Sequence, residues 1–219
     1  MISDKLRKKF FCALTLVLIF LVSFSCQKPP EAPEFEIVLN EGWHIQSSAG
    51  LLKTGESISS TGFDVQNWYP SSAPRTILAA LLENEVYTDP FFGKNLENIP
   101  TEQFKQPWWY RKEFTLEDKN AVSSVRLIFE GINYSANIWL NGKKIASADT
   151  ILGAFRMFDI DITETVVQGM NTLAVEVFPP KPGDFTIGFV DWNPRPPDEN
   201  MGIWREVKLR MSGPVSVNN

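Results

Sequence analysis

The chain has 219 residues, of which 43% are hydrophobic, and this is enough for a sizeable core. Its formal net charge of −5 excludes a protein whose main partner is nucleic acid, because phosphate binding needs clustered Lys and Arg. With two cysteines and one histidine, the sequence offers few of the side chains that hold metals or act as nucleophiles.

The first 25 residues have the order of charges and apolar residues that is typical of a secretory signal peptide. Four basic residues lie between positions 5 and 9, and a nearly unbroken apolar run extends from residue 10 to residue 24. A basic start followed by such a run marks a cleaved signal. The run is also shorter than the roughly 20 apolar residues that span a bilayer. We therefore predict a signal peptide over residues 1–25, with a transmembrane anchor as the alternative.

Cys26 ends the stretch Ser23-Phe24-Ser25-Cys26, which resembles a lipobox, the site where a signal peptidase leaves a lipid-carrying cysteine. This predicts a lipoprotein held by Cys26 at the outer membrane, the cell surface or in the periplasm, with the lipid as its only contact with the membrane. Residues 26–34 are rich in proline and predict an extended tether. Cleavage would remove Cys12, four positive charges and one negative charge, so the remainder would carry −8 and no thiol for a disulfide or a metal.

Residues 74–84 contain the clearest helical pattern in the rest of the chain. Pro74 suits the start of a helix, and an apolar stripe ends near residue 84. A second helical turn is predicted near residues 163–168, ended by Gly169. The stripe consists of Ile77, Leu78, Leu81 and Leu82.

Four later segments alternate apolar and polar residues with period two, which is typical of strands. Asn141-Gly142 predicts a hairpin, because a type I′ turn needs positive φ at both central residues. For residues 35–219 we predict an all-β, two-sheet jelly-roll sandwich with one or two short helices. The alternating apolar positions are Val125, Leu127 and Phe129; Tyr134, Ala136, Ile138 and Leu140; Leu173, Val175 and Val177; and Val207, Leu209 and Met211.

Eight ordered motifs, spread over roughly residues 40–215, resemble the N-terminal module of glycoside hydrolase family 2. The resemblance is to its exo-β-glucosaminidase and β-mannosidase branch, and it implies a galactose-binding-like sandwich. The motifs are Trp68-Tyr69-Pro70, Pro74-Arg75-Thr76-Ile77-Leu78-Ala79-Ala80-Leu81-Leu82, Asp89-Pro90-Phe91-Phe92-Gly93, Pro107-Trp108-Trp109-Tyr110-Arg111-Lys112-Glu113-Phe114, Phe129-Glu130-Gly131-Ile132-Asn133-Tyr134, Ile138-Trp139-Leu140-Asn141-Gly142, Asp191-Trp192-Asn193-Pro194 and Asn200-Met201-Gly202-Ile203-Trp204-Arg205-Glu206-Val207.

The resemblance implies a module that does not itself carry out catalysis. In that family an immunoglobulin-like domain and a (β/α)₈ barrel follow the jelly roll, and the barrel carries the two catalytic glutamates. Since this chain ends at Asn219, we expect the non-catalytic sugar-binding module of a β-glycoside hydrolase, as a fragment, a truncated product or a split-off module. We expect no catalytic residue, no metal and no cofactor in it, and no hydrolysis by the chain alone.

The pair Asp191-Trp192 is the candidate substrate-binding site. It lies in a proline-rich segment, and proline limits the conformations that a loop can adopt. The resemblance implies that this pair reaches into the active site of the barrel, where the carboxylate accepts hydrogen bonds from sugar hydroxyls and the indole packs beside the ring. The partners would then be a β-linked glycan and a barrel of the same or a neighbouring polypeptide. The alternative is a structural corner, with Trp192 in the core and Asp191 capping a turn.

Two rival functions come from other classes of protein. One is an independent surface lipoprotein that binds glycans without hydrolysing them, and the other is an adhesion sandwich with no glycan role. The remaining conspicuous residues are expected to be structural. Trp108, Trp109 and Tyr110 are predicted to fill the core, and His44 is predicted to lie on a strand or the surface rather than to act as a catalyst.

Overall fold

The computed structural model describes residues 35–117, 119, 122–188 and 193–213. Within them no helix is long and apolar enough to cross a membrane. The helices are α1 (Gly55–Ile58), α2 (Ile77–Glu83) and a 3-10 helix (Glu102–Lys105). The strands are β1 (Phe35–Val38), β2 (Trp43–Ser47), β3 (Tyr69–Ser71), β4 (Arg75–Thr76), β5 (Trp108–Leu116), β6 (Ser124–Phe129), β7 (Ile132–Asn133), β8 (Ser135–Leu140), β9 (Lys143–Ala146), β10 (Phe158–Asp161), β11 (Gly169–Phe178), β12 (Gly202–Ile203) and β13 (Val207–Ser212).

The strands form two large antiparallel sheets and one small one. The six-stranded sheet has the order β3-β2-β5-β11-β8-β9, and the four-stranded sheet has the order β1-β13-β6-β10. One cluster of buried apolar side chains draws on both, including Ile138 and Val175 from the first sheet and Leu127 and Leu209 from the second. The third sheet, β4-β12-β7, is short and joins three distant parts of the chain. The predicted all-β sandwich is confirmed.

The period-two pattern correctly predicts which side chains enter the core. In β8, Ala136, Ile138 and Leu140 are fully buried, whereas the residues between them are half-buried. The predicted hairpin after β8 is also confirmed, since Asn141 and Gly142 have φ of 51° and 82°. β6 departs from the simple pattern, because Ile128 is buried as well as its two neighbours.

A second, smaller cluster covers the opposite face of the six-stranded sheet. Trp109 of β5 and Ala174 of β11 are buried there against Ile58 of α1. Gly55 starts this helix directly on the ring of Trp139, where an added Cβ would lie 2.2 Å from the indole. β11 is therefore buried on both faces, and the predicted burial of Trp109 is confirmed together with that of Trp108 and Tyr110.

The helices differ in detail from the sequence prediction. α2 begins at Ile77 rather than Pro74, because Thr76 is the N-cap and its hydroxyl accepts a hydrogen bond from Ala79 N at 3.3 Å. Residues 163–165 form a single turn, in which Thr165 N and Val166 N donate to Ile162 O at 2.8 and 2.9 Å, and β11 begins at Gly169, whose φ is 89°. The signal peptide over 1–25, the tether over 26–34 and the lipid site Cys26 lie outside the described residues and stay predictions.

Leu140→Ala tests the core between the two large sheets. Leu140 is fully buried opposite Leu173 of β11, and deleting a buried Leu side chain costs about 2–5 kcal/mol. We expect a loss of this size in the free energy of unfolding measured with urea. Leu52→Ala is the control, because Leu52 is 97% exposed and its truncation should change stability by less than about 0.5 kcal/mol. Equal losses in the two variants would contradict the assigned core.

Candidate functional site

The candidate site is the proline-rich loop between β11 and β12, which contains the predicted residues Asp191 and Trp192. These two residues lie outside the described part of the chain, so their contact with a sugar stays a prediction. The structure does describe the two arms of the loop, residues 179–188 and 193–201. The described part of the candidate site therefore consists of these two arms, the side chains that bind them and the neighbouring surfaces.

Asn133, a fully buried residue at the end of β7, binds both arms of the loop. Its Nδ2 donates to the carbonyl oxygens of Glu199 and Asn200, each at 2.9 Å. Its Oδ1 accepts from the Thr186 hydroxyl at 2.5 Å. One side chain thus fixes the outgoing and the returning arm relative to each other. We call this set of contacts the Asn133 clamp.

Asp198 attaches the returning arm to helix α2. Its carboxylate is 1% exposed and accepts from Leu78 N at 2.8 Å and from Asn200 N at 3.0 Å. Burial raises the pKa of the Asp198 carboxyl, and the two backbone N–H groups oppose this by favouring the charged form. With both oxygens engaged inside the protein, this carboxylate serves as an anchor of the loop.

Gly202 lets the returning arm enter the small sheet next to Tyr110. The Tyr110 hydroxyl donates to Arg75 O at 2.8 Å, across the place where β12 pairs with β4. Gly202 has φ of 143°, and a Cβ there would lie 2.4 Å from the Tyr110 oxygen. Glycine is therefore required, which explains the Asn-Met-Gly segment at the end of the loop.

A partly exposed aromatic surface consists of Phe185 of the outgoing arm together with Phe155 and Trp204. The rings of Phe155 and Phe185 are 5.5 Å apart between centroids, and Phe155 meets Trp204 edge-on at 5.8 Å. Trp204 is fixed by a hydrogen bond from its Nε1 to Ala154 O at 2.9 Å. Phe185 remains 80% exposed. A contiguous aromatic patch of this kind is typical of a contact surface.

The proline-rich groove, with a volume of about 950 Å³, lies between the two arms and the 3-10 helix. Each arm is stiffened by a local contact: Lys181 N donates to an Asp184 carboxylate oxygen at 2.7 Å, and the Arg195 guanidinium pairs with Glu199 at 2.6 Å. The groove is lined by Thr101, Phe104, Lys105, Pro107, Phe178, Pro179, Pro180, Lys181, Pro182, Gly183, Asp184, Arg195, Pro196, Pro197 and Glu199.

Sequence reasoning did not find the residues that position the loop. Asn133 was not identified as a contact of the loop, and Asp198 was not singled out. A signal was present for Asn133, a short polar side chain next to Ile132, which enters the core. Asp198 lies between Pro197 and Glu199 and gave no such signal. In the part of the chain that the structure describes, no group of three or more His, Cys, Asp or Glu residues is placed to hold a metal ion.

The antiparallel sandwich, with a long loop fixed at one end, belongs to the class of galactose-binding-like β-sandwiches. Residues 43–184 match the protein family described as glycosyl hydrolase 2 galactose-binding domain-like. The chain belongs to this family, the galactose-binding-like N-terminal domain of glycoside hydrolase family 2.

The similar proteins are several times longer than this chain. It is 41% identical over 179 residues to an exo-β-D-glucosaminidase of Amycolatopsis orientalis and 40% identical over 179 residues to one of Streptomyces avermitilis. These matches cover 81% of this chain but only 17% and 20% of the two relatives, so the chain spans about a fifth of their length.

Two solved structures show the same arrangement of strands. The crystal structure of the Amycolatopsis orientalis exo-chitosanase superimposes with a TM-score of 0.78 at 40% identity, over 83% of this chain and 21% of that one. A β-D-mannosidase from Dictyoglomus thermophilum superimposes with a TM-score of 0.62 at 27% identity, over 82% of this chain and 23% of that one.

His44 offers a pH-dependent test of the six-stranded sheet. It lies on β2 opposite Arg111, and burial, followed by the positive charge of Arg111, lowers its pKa below the ordinary 6.5. The unfolded chain therefore takes up a proton near pH 6.5 that the folded chain does not. Stability is retained above that pH and falls as the pH drops from 6.5 toward the folded pKa.

We expect NMR titration of His44, the only histidine, to give a midpoint below 6.5 in the folded chain. The free energy of unfolding of His44→Gln should fall less as the pH drops below 6.5, because glutamine takes up no proton. A midpoint at or above 6.5 would contradict the burial that the structure assigns to this ring.

Proposed function

We propose that the chain is the non-catalytic sugar-binding module of a β-glycoside hydrolase that acts on glycans. It would work with a catalytic barrel domain of the same or a neighbouring polypeptide. The observation that carries this proposal is the 41% identity to an exo-β-D-glucosaminidase, extending over 81% of this chain and 17% of that enzyme. β-Linked glucosaminides are therefore the first substrates to test.

Asp191 and Trp192 are the proposed contacts with the sugar. An ionised carboxylate forms charge-assisted hydrogen bonds, which are about twice as strong as neutral ones, with hydroxyl or amino groups. An indole offers a flat apolar face for the C–H side of a sugar ring. Because good sites bury most of their ligand in a concavity, one carboxylate and one indole need a second surface, which the barrel would supply.

The way the loop is held supports this role. The Asn133 clamp and the Asp198 anchor fix both arms of the loop before any ligand arrives. A loop that is already ordered loses less conformational entropy when it binds. The arms would thus present residues 191 and 192 at a defined place on the module.

The module is proposed to leave bond cleavage to the barrel. Retaining glycosidases need two carboxyl groups about 5–5.5 Å apart at the scissile bond. Near the loop, the Asp198 carboxylate is buried and bound by backbone N–H groups, and Glu199 is paired with Arg195. These carboxylates are engaged in holding the loop.

Asp191→Ala and Trp192→Ala test the proposed sugar contact. Residues 35–219 would replace the corresponding module of an exo-β-glucosaminidase, and kcat/KM would be measured on a β-glucosaminide. Loss of a charge-assisted hydrogen bond worth about 1.5–3 kcal/mol should lower kcat/KM of the Asp191→Ala chimera by roughly 10- to 150-fold.

Asp149→Ala is the matched control, since Asp149 is an exposed acid in a different loop. It should leave kcat/KM unchanged. Unaltered kinetics in both the Asp191 and the Trp192 variant would show that the pair is a structural corner. Micromolar binding of a glycan by the separate module would favour the independent glycan-binding lipoprotein instead.

We also propose that the chain is lipid-anchored through Cys26 at the outer membrane, the cell surface or in the periplasm. The basic start, the apolar run and Ser25-Cys26 support this. Cells given a palmitate analogue should label the unmodified chain and Cys12→Ser equally, because Cys12 would leave with the signal peptide. Cys26→Ser should be unlabelled, and equal labelling of Cys26→Ser would refute the anchor.

A further inference from the structure

Two adjacent phenylalanines, Phe91 and Phe92, extend into solvent from the loop between α2 and the 3-10 helix. Phe91 is 94% exposed and Phe92 is 70% exposed. They belong to the motif Asp89-Pro90-Phe91-Phe92-Gly93, to which the proposed function assigns no role. Large apolar side chains that lie side by side in water indicate a contact surface, because burial of one such ring removes about 150–250 Å² from water. We call these two side chains the phenylalanine tip.

The turn that carries the phenylalanine tip is ordered by its own hydrogen bonds. Asp89 O accepts from Phe92 N at 3.1 Å and from Asn95 Nδ2 at 3.0 Å, and Phe92 O accepts from Asn95 N at 3.1 Å. Asp89 and Gly93, at the two ends of the motif, have φ of 47° and 56°. A left-handed φ is uncommon for a residue other than glycine, although aspartate tolerates it. The two rings are therefore held on a defined turn.

The loop is attached to the core on both sides of the tip. Tyr87 and Leu96 pack against the main cluster of buried side chains, and Ile99 and Phe104 belong to that cluster. Gln103 Nε2 donates to the Tyr87 hydroxyl, which joins the beginning of the loop to the 3-10 helix. A partner would thus meet two rings that are already in position, so that docking costs little conformational entropy.

The surroundings of the tip favour an apolar pocket of a protein over a lipid surface or a sugar. The nearby charges along the chain are mixed, with Asp89 and Glu97 against Lys94, whereas anionic lipid is recognised by clustered basic residues. A sugar site places a few polar groups in a concavity, and a ring that is 94% exposed lies on a projection instead. A projecting aromatic side chain that fills a pocket of the partner is the usual energetic anchor of a protein interface.

A larger domain is a better candidate for this partner than a second copy of the chain. Each copy carries a formal net charge of −5, and like net charges oppose association. By contrast, the family match over residues 43–184 includes the tip, and the chain corresponds to only 17% of the Amycolatopsis orientalis enzyme. A module that works with so much additional protein needs a surface that joins the two.

We propose that the phenylalanine tip docks this module into an apolar pocket of the catalytic domain with which it is proposed to work. The inference rests on the proposed function and adds to it the surface through which the two domains meet. Docking is assigned to Phe91 and Phe92, in the loop after α2, and sugar contact to Asp191 and Trp192, in the loop after β11. The two roles can therefore be tested on different loops.

The experiment compares hydrogen exchange of the full chain with that of the chimera that carries residues 35–219 on an exo-β-glucosaminidase. The amides of residues 89–95 should exchange at least about tenfold more slowly in the chimera, because the docked domain covers the turn. In the double variant Phe91→Ser, Phe92→Ser, exchange in the chimera should be as fast as in the full chain with the same substitutions. The urea midpoint of the full chain should not change, since both rings are exposed.

Leu52→Ser is the matched control, because Leu52 is 97% exposed and lies in the loop before α1. This variant of the chimera should keep the slow exchange of residues 89–95. Equal exchange of these amides in the full chain and the unmodified chimera would overturn the docking site, and so would slow exchange that persists in the double variant. Dimers of the full chain that form with rising concentration and are lost in the double variant would assign the tip to a second copy instead.

The docking site and the proposed function can fail separately. A chimera whose kcat/KM depends on Asp191 but whose residues 89–95 exchange as in the full chain would overturn the docking site alone. A chimera with slow exchange at the tip and unaltered kinetics in the Asp191 and Trp192 variants would overturn the sugar contact and support docking.

Discussion

The side-chain amide of Asn133 is the interaction on which the loop depends. It is fully buried and uses both its nitrogen and its oxygen on residues that are 53 to 67 positions away in the sequence. A buried amide without partners costs about 1–3 kcal/mol, so its bonds strongly favour one arrangement of the two arms. The structure thereby converts a long proline-rich connection into an ordered part of the sandwich.

The rest of the site is arranged around this clamp. Gly202 allows the returning strand to pass close to the Tyr110 hydroxyl, and Asp198 ties the same arm to the first turn of α2. On one side of the loop lies the aromatic surface, and the proline-rich groove lies between the arms. Family membership and this geometry support the proposed function, in which the module would present a preformed loop to a glycan and to a second domain.

Much of the fold could be predicted from the sequence because strand burial is a local, periodic signal. The alternation in β8 and the Asn141-Gly142 turn are local properties, and the structure confirms both. α1 was missed, since a four-residue helix capped by Thr54 shows no repeating apolar stripe. The predicted start of α2 at Pro74 was wrong, because Thr76 is the N-cap and the helix begins at Ile77.

The site was less accessible to sequence reasoning. Asp191 and Trp192 were proposed through family resemblance, because nothing in local patterning distinguishes a loop carboxylate that binds sugar from one that caps a turn. The Asn133 clamp depends on contacts between distant segments, which appear only once β4, β12 and β7 pair. The polar character of Asn133 was visible, but its partners were not.

Hydrogen exchange of the loop in Asn133→Leu, followed by mass spectrometry, tests the clamp most directly. The substitution keeps similar volume and removes the three hydrogen bonds to Thr186, Glu199 and Asn200. The amides of residues 183–188 and 198–201 should exchange at least about tenfold faster, while those of β8 and β11 keep their protection. Asn137→Leu, which removes a bond to Glu176 away from the loop, should leave loop exchange unchanged. Equal loop exchange in Asn133→Leu and the unmodified chain would contradict the account.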